Sequence, residues 1–487
     1  MVYKSLIWAE GGNVLSDFNF YCKKEKILNI LKKLGSSVHF VGVGGVGMYS
    51  LFLLTEKMGI STSGSDRECS RFTNRLIREG KKITIGHRAD SVCGADLVVY
   101  TSAVSPNNPE LIGAVQNGIP LASRAEYLGA VMENYKERIG VSGTHGKSTV
   151  TAMLSAIFEQ AEKNPTTVLG AVIPSTDLPI KIGGNTHFIY EACEYKDAFL
   201  SFSPTAAVYT NLEFDHMDYF KSIESLEESF LKSMNMPRIC VVNADDKRLS
   251  ALIPYIKSDV VTYGESEGAE YRAIVTGEEN GYYCFEVHHR GENISKIRMS
   301  ILGKFNVLNG LGAFALAHKL GISKSVIEEA LSHFSGIERR LEKIGKYGLL
   351  DLYYDYAHHP TEIECTVNTL REITGGEVTV IFKPHTYSRT AGLMNEFARA
   401  LSLADRVYLC DISAIRENSI KGITSEHLAS LIGASAERID EDNIKAVIDT
   451  RGIACKNGTL VIMGAANMDD VKKQFTDDVM FNKINEN

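Results

Sequence analysis

No run of about 18 apolar residues occurs anywhere in the 487-residue chain, which excludes a membrane-spanning helix. The segment Met1 to Phe20 is broken by Glu10 and Asp17. It therefore lacks the continuous apolar region of a secretory signal. Paired cysteines are missing too. The nine cysteines, an odd number, are scattered from Cys22 to Cys455 with no C-x-x-C pair. That pattern argues against a disulfide framework and a cysteine zinc site, and predicts reduced thiols in a cytoplasmic protein. There is no excess of positive charge: 52 Lys and Arg stand against 60 Asp and Glu, a net charge of −8. A general nucleic-acid binder needs a basic field, so nucleic acid is not an expected partner. Short-period repeats and low-complexity tracts are also absent, so solenoid, fibrous and disordered architectures fall away.

What remains is ordinary globular composition, 44% apolar and 23% charged. The length predicts roughly three domains. An apolar strand, a turn of small residues and a helical pattern follow one another at Val38–Val43 and again at Arg138–Ser142. A third region has short apolar runs at Leu349–Tyr354, Val378–Phe382, Val407–Cys410 and Leu460–Met463, with a helical stretch at Ala391–Leu403. Strands alternating with helices predict parallel sheets built from βαβ units. The expected fold class is α/β with three domains. These are a Rossmann-like domain over 1–137 with an N-terminal extension 1–35, a central P-loop ATPase-type domain over 138–334, and a Rossmann-like domain over 335–487. Between Tyr263 and Ile301 the alternation predicts a small antiparallel side sheet. Lysines 23, 24, 26, 32 and 33 surround Ile27, Leu28, Ile30, Leu31 and Leu34. This predicts an amphipathic helix packed on the first domain, with a membrane-surface helix as the alternative.

Two glycine loops carry the chemistry. Gly42-x-Gly44-x-x-Gly47 follows a strand and opens a helix, and Asp66 lies 19 residues after Gly47. Glycine lets backbone approach a diphosphate at a helix N-terminus, and the acid is spaced to meet a ribose. The loop does not separate NAD from another diphosphate nucleotide. The second loop runs Gly143-Thr144-His145-Gly146-Lys147-Ser148-Thr149. Val141 stands where a strict Walker A motif has its first glycine, but the Gly-Lys-Ser core is intact. Its backbone amides can wrap phosphates, Lys147 can neutralise β/γ charge, and the Ser148 hydroxyl can reach Mg²⁺. Glu191–Tyr195 and Asn211–Asp218 each follow an apolar strand and should face the crevice beside this loop. Carboxylates with one histidine suit Mg²⁺, with Mn²⁺ as a second choice.

With these motifs the sequence resembles the Mur ligases, ATP-dependent enzymes of peptidoglycan precursor synthesis. The matching segments are His39–Met48, Thr101–Val104 with Asn108-Pro109-Glu110, Gly143–Ser148, the Glu191 segment, and Thr210–Asp218. They continue with Gly303-Lys304-Phe305-Asn306 and Asn309, Arg339-Arg340, Asp355–Glu362, Pro384–Thr390 and Met463-Gly464-Ala465. The resemblance runs in order from about residue 38 to about residue 470. It implies an amide ligase acting on UDP-N-acetylmuramate, ATP and L-alanine through an acyl phosphate. It implies a UDP-sugar site at Gly42, Gly44, Gly45, Gly47, Asp66 and Ser102. An ATP site would use Gly143 to Thr149 (Gly143, Thr144, His145, Gly146, Lys147, Ser148 and Thr149) with Asn306, Asn309 and Arg339. Ser148, Glu191 and His216 would hold the metal. Lys147, His216, His358, His385 and Arg389 would serve the reaction, the last three gathering around the amino acid and the reacting carboxylate. The chain departs from the family pattern at Ser148 (usually Thr), Phe305 (usually His), Cys193, and Thr386, where some members carry Arg. A family member that attaches a preformed murein peptide shares most of these motifs, but the Gly-Gly-Val-Gly-Met run at 44–48 favours alanine. Outside the class stand an NAD-dependent oxidoreductase, which leaves Gly143–Ser148 unexplained, and an inactive UDP-sugar-binding relative, which Lys147, Glu191 and His216 oppose.

Overall fold

The structure is a computed structural model and describes residues 22–414, 417–466 and 468–484. Residues 1–21 of the expected N-terminal extension lie outside that set. Three sheets follow one another along the chain. The first holds β1 (Ser37–Val41), β2 (Ser61–Asp66), β3 (Ile83–Ile85), β4 (Leu97–Tyr100) and β5 (Leu121–Ser123), all parallel, in the order 3-2-1-4-5. Val38, Phe40 and Val41 of its central strand are fully buried, as expected where helices cover both faces. The helix Lys24–Lys32 packs through Ile27 and Leu31 into this core with Tyr127 and Leu128, so the packed reading of the lysine-rich segment holds.

The second sheet has ten strands: β6 (Glu137–Ser142), β7 (Thr166–Ile173), β8 (Leu178–Lys181), β9 (His187–Glu191), β10 (Ala206–Tyr209), β11 (Ile239–Asn243), β12 (Asp259–Gly264), β13 (Tyr271–Glu279), β14 (Tyr282–His289) and β15 (Glu292–Arg298). Their order is 15-14-13-12-11-10-6-9-7-8. The antiparallel strands β13 to β15 do form. They are joined to the main sheet, because β13 pairs in parallel with β12 at Tyr263 and Gly264. The helix Lys147–Gln160 buries Met153, Leu154, Ile157 and Phe158 in one core with Leu311 and Phe314 of the helix Phe305–Lys319.

The third sheet holds β16 (Glu342–Tyr347), β17 (Leu350–Asp355), β18 (Glu377–Phe382), β19 (Arg406–Leu409), β20 (Ala436–Arg438) and β21 (Gly458–Met463), in the order 16-17-21-18-19-20. Only β16 is antiparallel. All nine cysteines are free, and no described helix is long and apolar enough to cross a membrane.

In the second sheet β6 lies between β10 and β9. The loop after β6 is therefore flanked by the segments that leave both neighbours. This is the crevice geometry of an open parallel sheet, where ligand groups collect at the carboxyl ends of the strands.

Candidate functional site: a phosphate loop between two clefts

Gly146 caps the helix Lys147–Gln160 in the left-handed conformation, φ 80°. A Cβ here would lie 2.6 Å from Asn309 Oδ1, so glycine is demanded twice, by conformation and by space. The loop is held from the side by the segment after β10. Asn211 Oδ1 accepts from the His145 amide at 2.8 Å, the Thr144 hydroxyl accepts from the Glu213 amide at 2.8 Å, and the Thr210 hydroxyl donates to the His145 carbonyl at 2.6 Å.

Lys147 and Glu194 form a buried ion pair at 3.0 Å, and Glu194 is 2% exposed. The lysine also donates to the carbonyls of Gly143 and Thr144. Burial alone would push its pKa down, but the Glu194 carboxylate outweighs it and the pKa rises. His216 has its Nε2 3.7 Å from Glu194 Oε1 and sits in the left-handed region at φ 55°. The carboxylate nearest Lys147 and His216 is thus Glu194, a residue not singled out from the sequence. Glu191, expected as the metal ligand, accepts the Gly170 amide of β7.

One cavity of 280 Å³ opens beside the loop. It is lined on one side by His145, Gly146 and Thr149 and on the other by Phe305, Asn306 and Asn309. Asn309 donates to Asn306 Oδ1 at 2.9 Å, so both expected asparagines are present and mutually fixed. Arg339 is not part of this wall. Its guanidinium donates to the carbonyls of Gly464 and Ala466 and lies over the rings of Tyr354 and Tyr356. Arg340 lines the cavity in its place. Arg339 and Leu341 on either side of it both adopt positive φ, 58° and 48°.

Asp355, at the end of β17, also faces this cavity. Burial pushes its carboxyl up to about 6, although Thr366 donates to it at 2.6 Å and Arg340 is near. The folded protein therefore holds a proton that the unfolded chain releases near pH 3.8. Stability falls as pH rises from about 4 to about 6, and the penalty persists above 6. At roughly 1.4 kcal/mol per pKa unit it is about 3 kcal/mol at neutral pH. Asp355→Asn should therefore raise the melting temperature at pH 7, and the gap to the unmodified protein should shrink towards pH 4. A gap of constant size across that range would refute the buried-carboxyl account.

A second cleft, of 480 Å³, lies between the first and second sheets. Ser102, Arg124, Cys193, Tyr195 and Lys196 line it. Arg124 packs against the first glycine loop, 3.1 Å from where a Cβ of Gly47 would stand. Gly42 adopts φ 88°. The amide of Gly44 donates to Asp66 Oδ2 at 2.7 Å, so Asp66 closes onto the loop itself rather than standing clear of it. Gly45 caps the helix that follows. Burial pushes the Cys193 thiol up to about 11, so it is an inert wall residue.

The third sheet brings His358, His385 and Arg389 together. Arg389 Nη1 is 3.2 Å from His385 Nδ1, and the His358 and His385 rings are 6.2 Å apart. His358 Nδ1 lies 3.1 Å from Glu362 Oε2, and burial, with Arg389 nearby, lowers its pKa. Arg389 does not present an open fork. It makes a two-point ion pair with Asp215 of the central domain, at 2.9 and 3.0 Å, with both groups buried. That pair holds the Asp215 carboxyl well below its usual range against the cost of burial.

A phosphate loop on a parallel sheet, closed by one domain over a nucleotide-sized cavity and joined to another across a second cleft, defines an enzyme that couples a nucleoside triphosphate to a second substrate. The comparisons narrow this. The chain matches the models described as Mur ligase family, catalytic domain, over residues 37–136, Mur ligase middle domain over 141–317, and Mur ligase, glutamate ligase domain, over 339–466. It is 42% identical over 393 residues to a UDP-N-acetylmuramate–L-alanine ligase of Caldicellulosiruptor bescii, covering 80% of this chain and 86% of that one. It is 36% identical over 450 residues to the enzyme of the same name from Caldanaerobacter subterraneus, covering 91% and 97%. A solved UDP-N-acetylmuramate–alanine ligase from Thermotoga maritima superposes with a TM-score of 0.78 at 27% identity, over 92% of this chain and 99% of that one. The chain belongs to the Mur ligase family.

Proposed function

We propose that this protein is an ATP-dependent amide ligase that joins L-alanine to the carboxylate of UDP-N-acetylmuramate, a step of peptidoglycan precursor synthesis. One observation carries the reading. The loop Gly143–Thr149 lines the cavity on one side, while its Lys147 reaches Glu194, whose neighbours Cys193 and Tyr195 line the cleft on the other. ATP in the cavity would then direct its γ-phosphate towards a substrate in the cleft. Relatives 36 to 42% identical over most of their length bear the name of this activity.

In this mechanism the UDP diphosphate lies on the loop Gly42–Gly47, and Ser102 and Arg124 line the path of the sugar. The adenine side is bounded by Phe305, Asn306 and Asn309. Lys147 leaves Glu194 for the β/γ-phosphates and offsets the charge that builds on the transferred phosphoryl group. The substrate carboxylate attacks the γ-phosphorus and forms the acyl phosphate. The amine of L-alanine then attacks the acyl carbon, and phosphate leaves. His358, His385 and Arg389 frame the amine's approach. Asp215 already occupies Arg389, so the pair must open if that guanidinium is to take the alanine carboxylate. The donors near Lys147 fit Mg²⁺: the Ser148 hydroxyl in the first helical turn, the Glu194 carboxylate buried to 2% exposure, the Glu191 carboxylate and the His216 imidazole. Bound there, Mg²⁺ would supply charge neutralisation on the phosphates. Ligation would engage the His216 lone pair, so His216 is a ligand in this reading rather than a base. Docking of the third domain over the loop excludes water that would hydrolyse the acyl phosphate.

The test is phosphate release from ATP with Mg²⁺ and UDP-N-acetylmuramate, with and without L-alanine. Release that requires both is the expected result. Release with a murein tripeptide and not with alanine would overturn the choice of amine. Release without any sugar nucleotide would overturn the ligase assignment.

A further inference from the structure

Three side chains from two domains converge above the phosphate loop without a role in the mechanism just given. His145 is in the loop itself, Glu213 follows β10, and His359 precedes the helix Pro360–Ile373 of the third domain. One ligand atom from each falls in a group in which all lie within 4.8 Å of one another, the one such group of histidine, cysteine and carboxylate side chains among the described residues. His145 Nε2 is 3.4 Å from Glu213 Oε2, and His359 Nδ1 is 3.2 Å from the same oxygen. Two ligands on a tetrahedral ion at about 2.0–2.1 Å stand about 3.3 Å apart. Both spacings match that edge.

A second observation points to a missing occupant. His359 is 5% exposed, yet neither of its ring nitrogens completes a hydrogen bond. A buried imidazole in that condition is costly unless something takes its lone pair. The surroundings are also ordered as they are around a metal-bound histidine. His145 Nδ1 lies 3.4 Å from Glu362 Oε1, so a carboxylate stands behind the ring. The Thr361 hydroxyl donates to Glu213 Oε2 at 2.7 Å and fixes the acid.

We propose that His145, Glu213 and His359 form a binding site for a divalent transition-metal ion of the zinc class, separate from the Mg²⁺ donors beside Lys147, and that the ion ties the phosphate loop to the third domain. Two imidazoles and a carboxylate are a donor set for Zn²⁺ or Co²⁺ and a poor one for Mg²⁺. His145 and Glu213 both line the nucleotide cavity, so a fourth position faces it. Because two ligands belong to the central domain and one to the third, the ion favours the closed arrangement.

The experiment is a Co²⁺ titration of the metal-free full-length protein in excess Mg²⁺, read by visible absorption, with thermal melting in Zn²⁺ alongside. The expected result is one Co²⁺ per chain with the strong absorption of four-coordinate geometry, and a melting temperature raised by about 3 °C at a hundred-fold excess of Zn²⁺ over its Kd. His359→Ala and Glu213→Gln should each weaken Co²⁺ binding at least about 100-fold and lose the Zn²⁺ shift. His216→Ala should keep both. His359→Gln carries the same expectation should the alanine variant fail to fold, as judged by circular dichroism. Equal Co²⁺ affinity in the His359 variants, or only weak six-coordinate absorption in the unmodified protein, would overturn the proposal. Neither readout uses ligase turnover, so the result stands apart from the proposed function.

Discussion

Lys147→Ala should lower ATP-dependent turnover by about 10³-fold or more. The residue is the only lysine in Gly143–Thr149, and removal of a charge that stabilises a transferring phosphoryl group costs on this scale. The structure adds a second consequence. Lys147 also neutralises Glu194, which is 2% exposed. Deleting one partner of a buried pair costs about 3–5 kcal/mol, because the other charge is left uncompensated. Lys147→Ala alone therefore conflates lost catalysis with lost stability. Adding Glu194→Gln removes the orphaned charge. The double variant should regain most of the lost melting temperature and none of the turnover. Recovery of near-normal turnover in either variant would mean that Lys147 does not act on the phosphates.

The second large effect is at the contact between domains. Asp215 and Arg389 lie 174 residues apart in sequence and form a two-point ion pair with both groups buried. Asp215→Asn leaves a buried guanidinium without its counter-charge, a cost of about 3–5 kcal/mol. Expressed in docking of the third domain, that is at least about a 100-fold loss in kcat/KM. Asp215→Leu with Arg389→Met should recover thermal stability, since an apolar pair of similar volume often replaces a buried ion pair at little cost. A double-mutant cycle in melting free energy then measures the coupling. Additive effects of the two single changes would show that the pair does not hold the domains together. The exposed pairs that Arg71 and Arg75 of the first domain make with Glu338 and Asp177 should by contrast contribute little.

Much of this architecture was legible before the structure. The two glycine loops were readable because close approach and positive φ leave glycine few substitutes, and Gly146 shows both demands. The strands of the third sheet were readable as short apolar runs because a sheet covered on both faces needs them. By contrast β2, Ser61–Asp66, is a polar strand with no such run. Its end was located only through the spacing of Asp66 from the loop. The hairpin of β7 and β8 was not seen either.

Within the site, the family resemblance brought His358, His385 and Arg389 together, as the structure does. It pointed to Arg339 where Arg340 lines the cavity. The two arginines are adjacent, and nothing in their residue type announces which one faces the cavity. Glu194 was passed over for Glu191 for a similar reason. Which of two acids three residues apart meets Lys147 depends on the path of the chain as it leaves β9, which ends at Glu191. The cluster of His145, Glu213 and His359 had no local signal at all, since its members are distant in sequence.

The account rests most directly on the fate of one oxygen atom. The protein should be incubated with ATP, Mg²⁺, L-alanine and UDP-N-acetylmuramate labelled with ¹⁸O in its carboxylate, and the phosphate and sugar nucleotide weighed by mass spectrometry. One ¹⁸O in each released phosphate, with the sugar nucleotide gaining one alanine, is the predicted result. Unlabelled phosphate, or label appearing in AMP, would contradict the acyl phosphate and with it the assignment of the loop, the cleft and the third domain to one reaction.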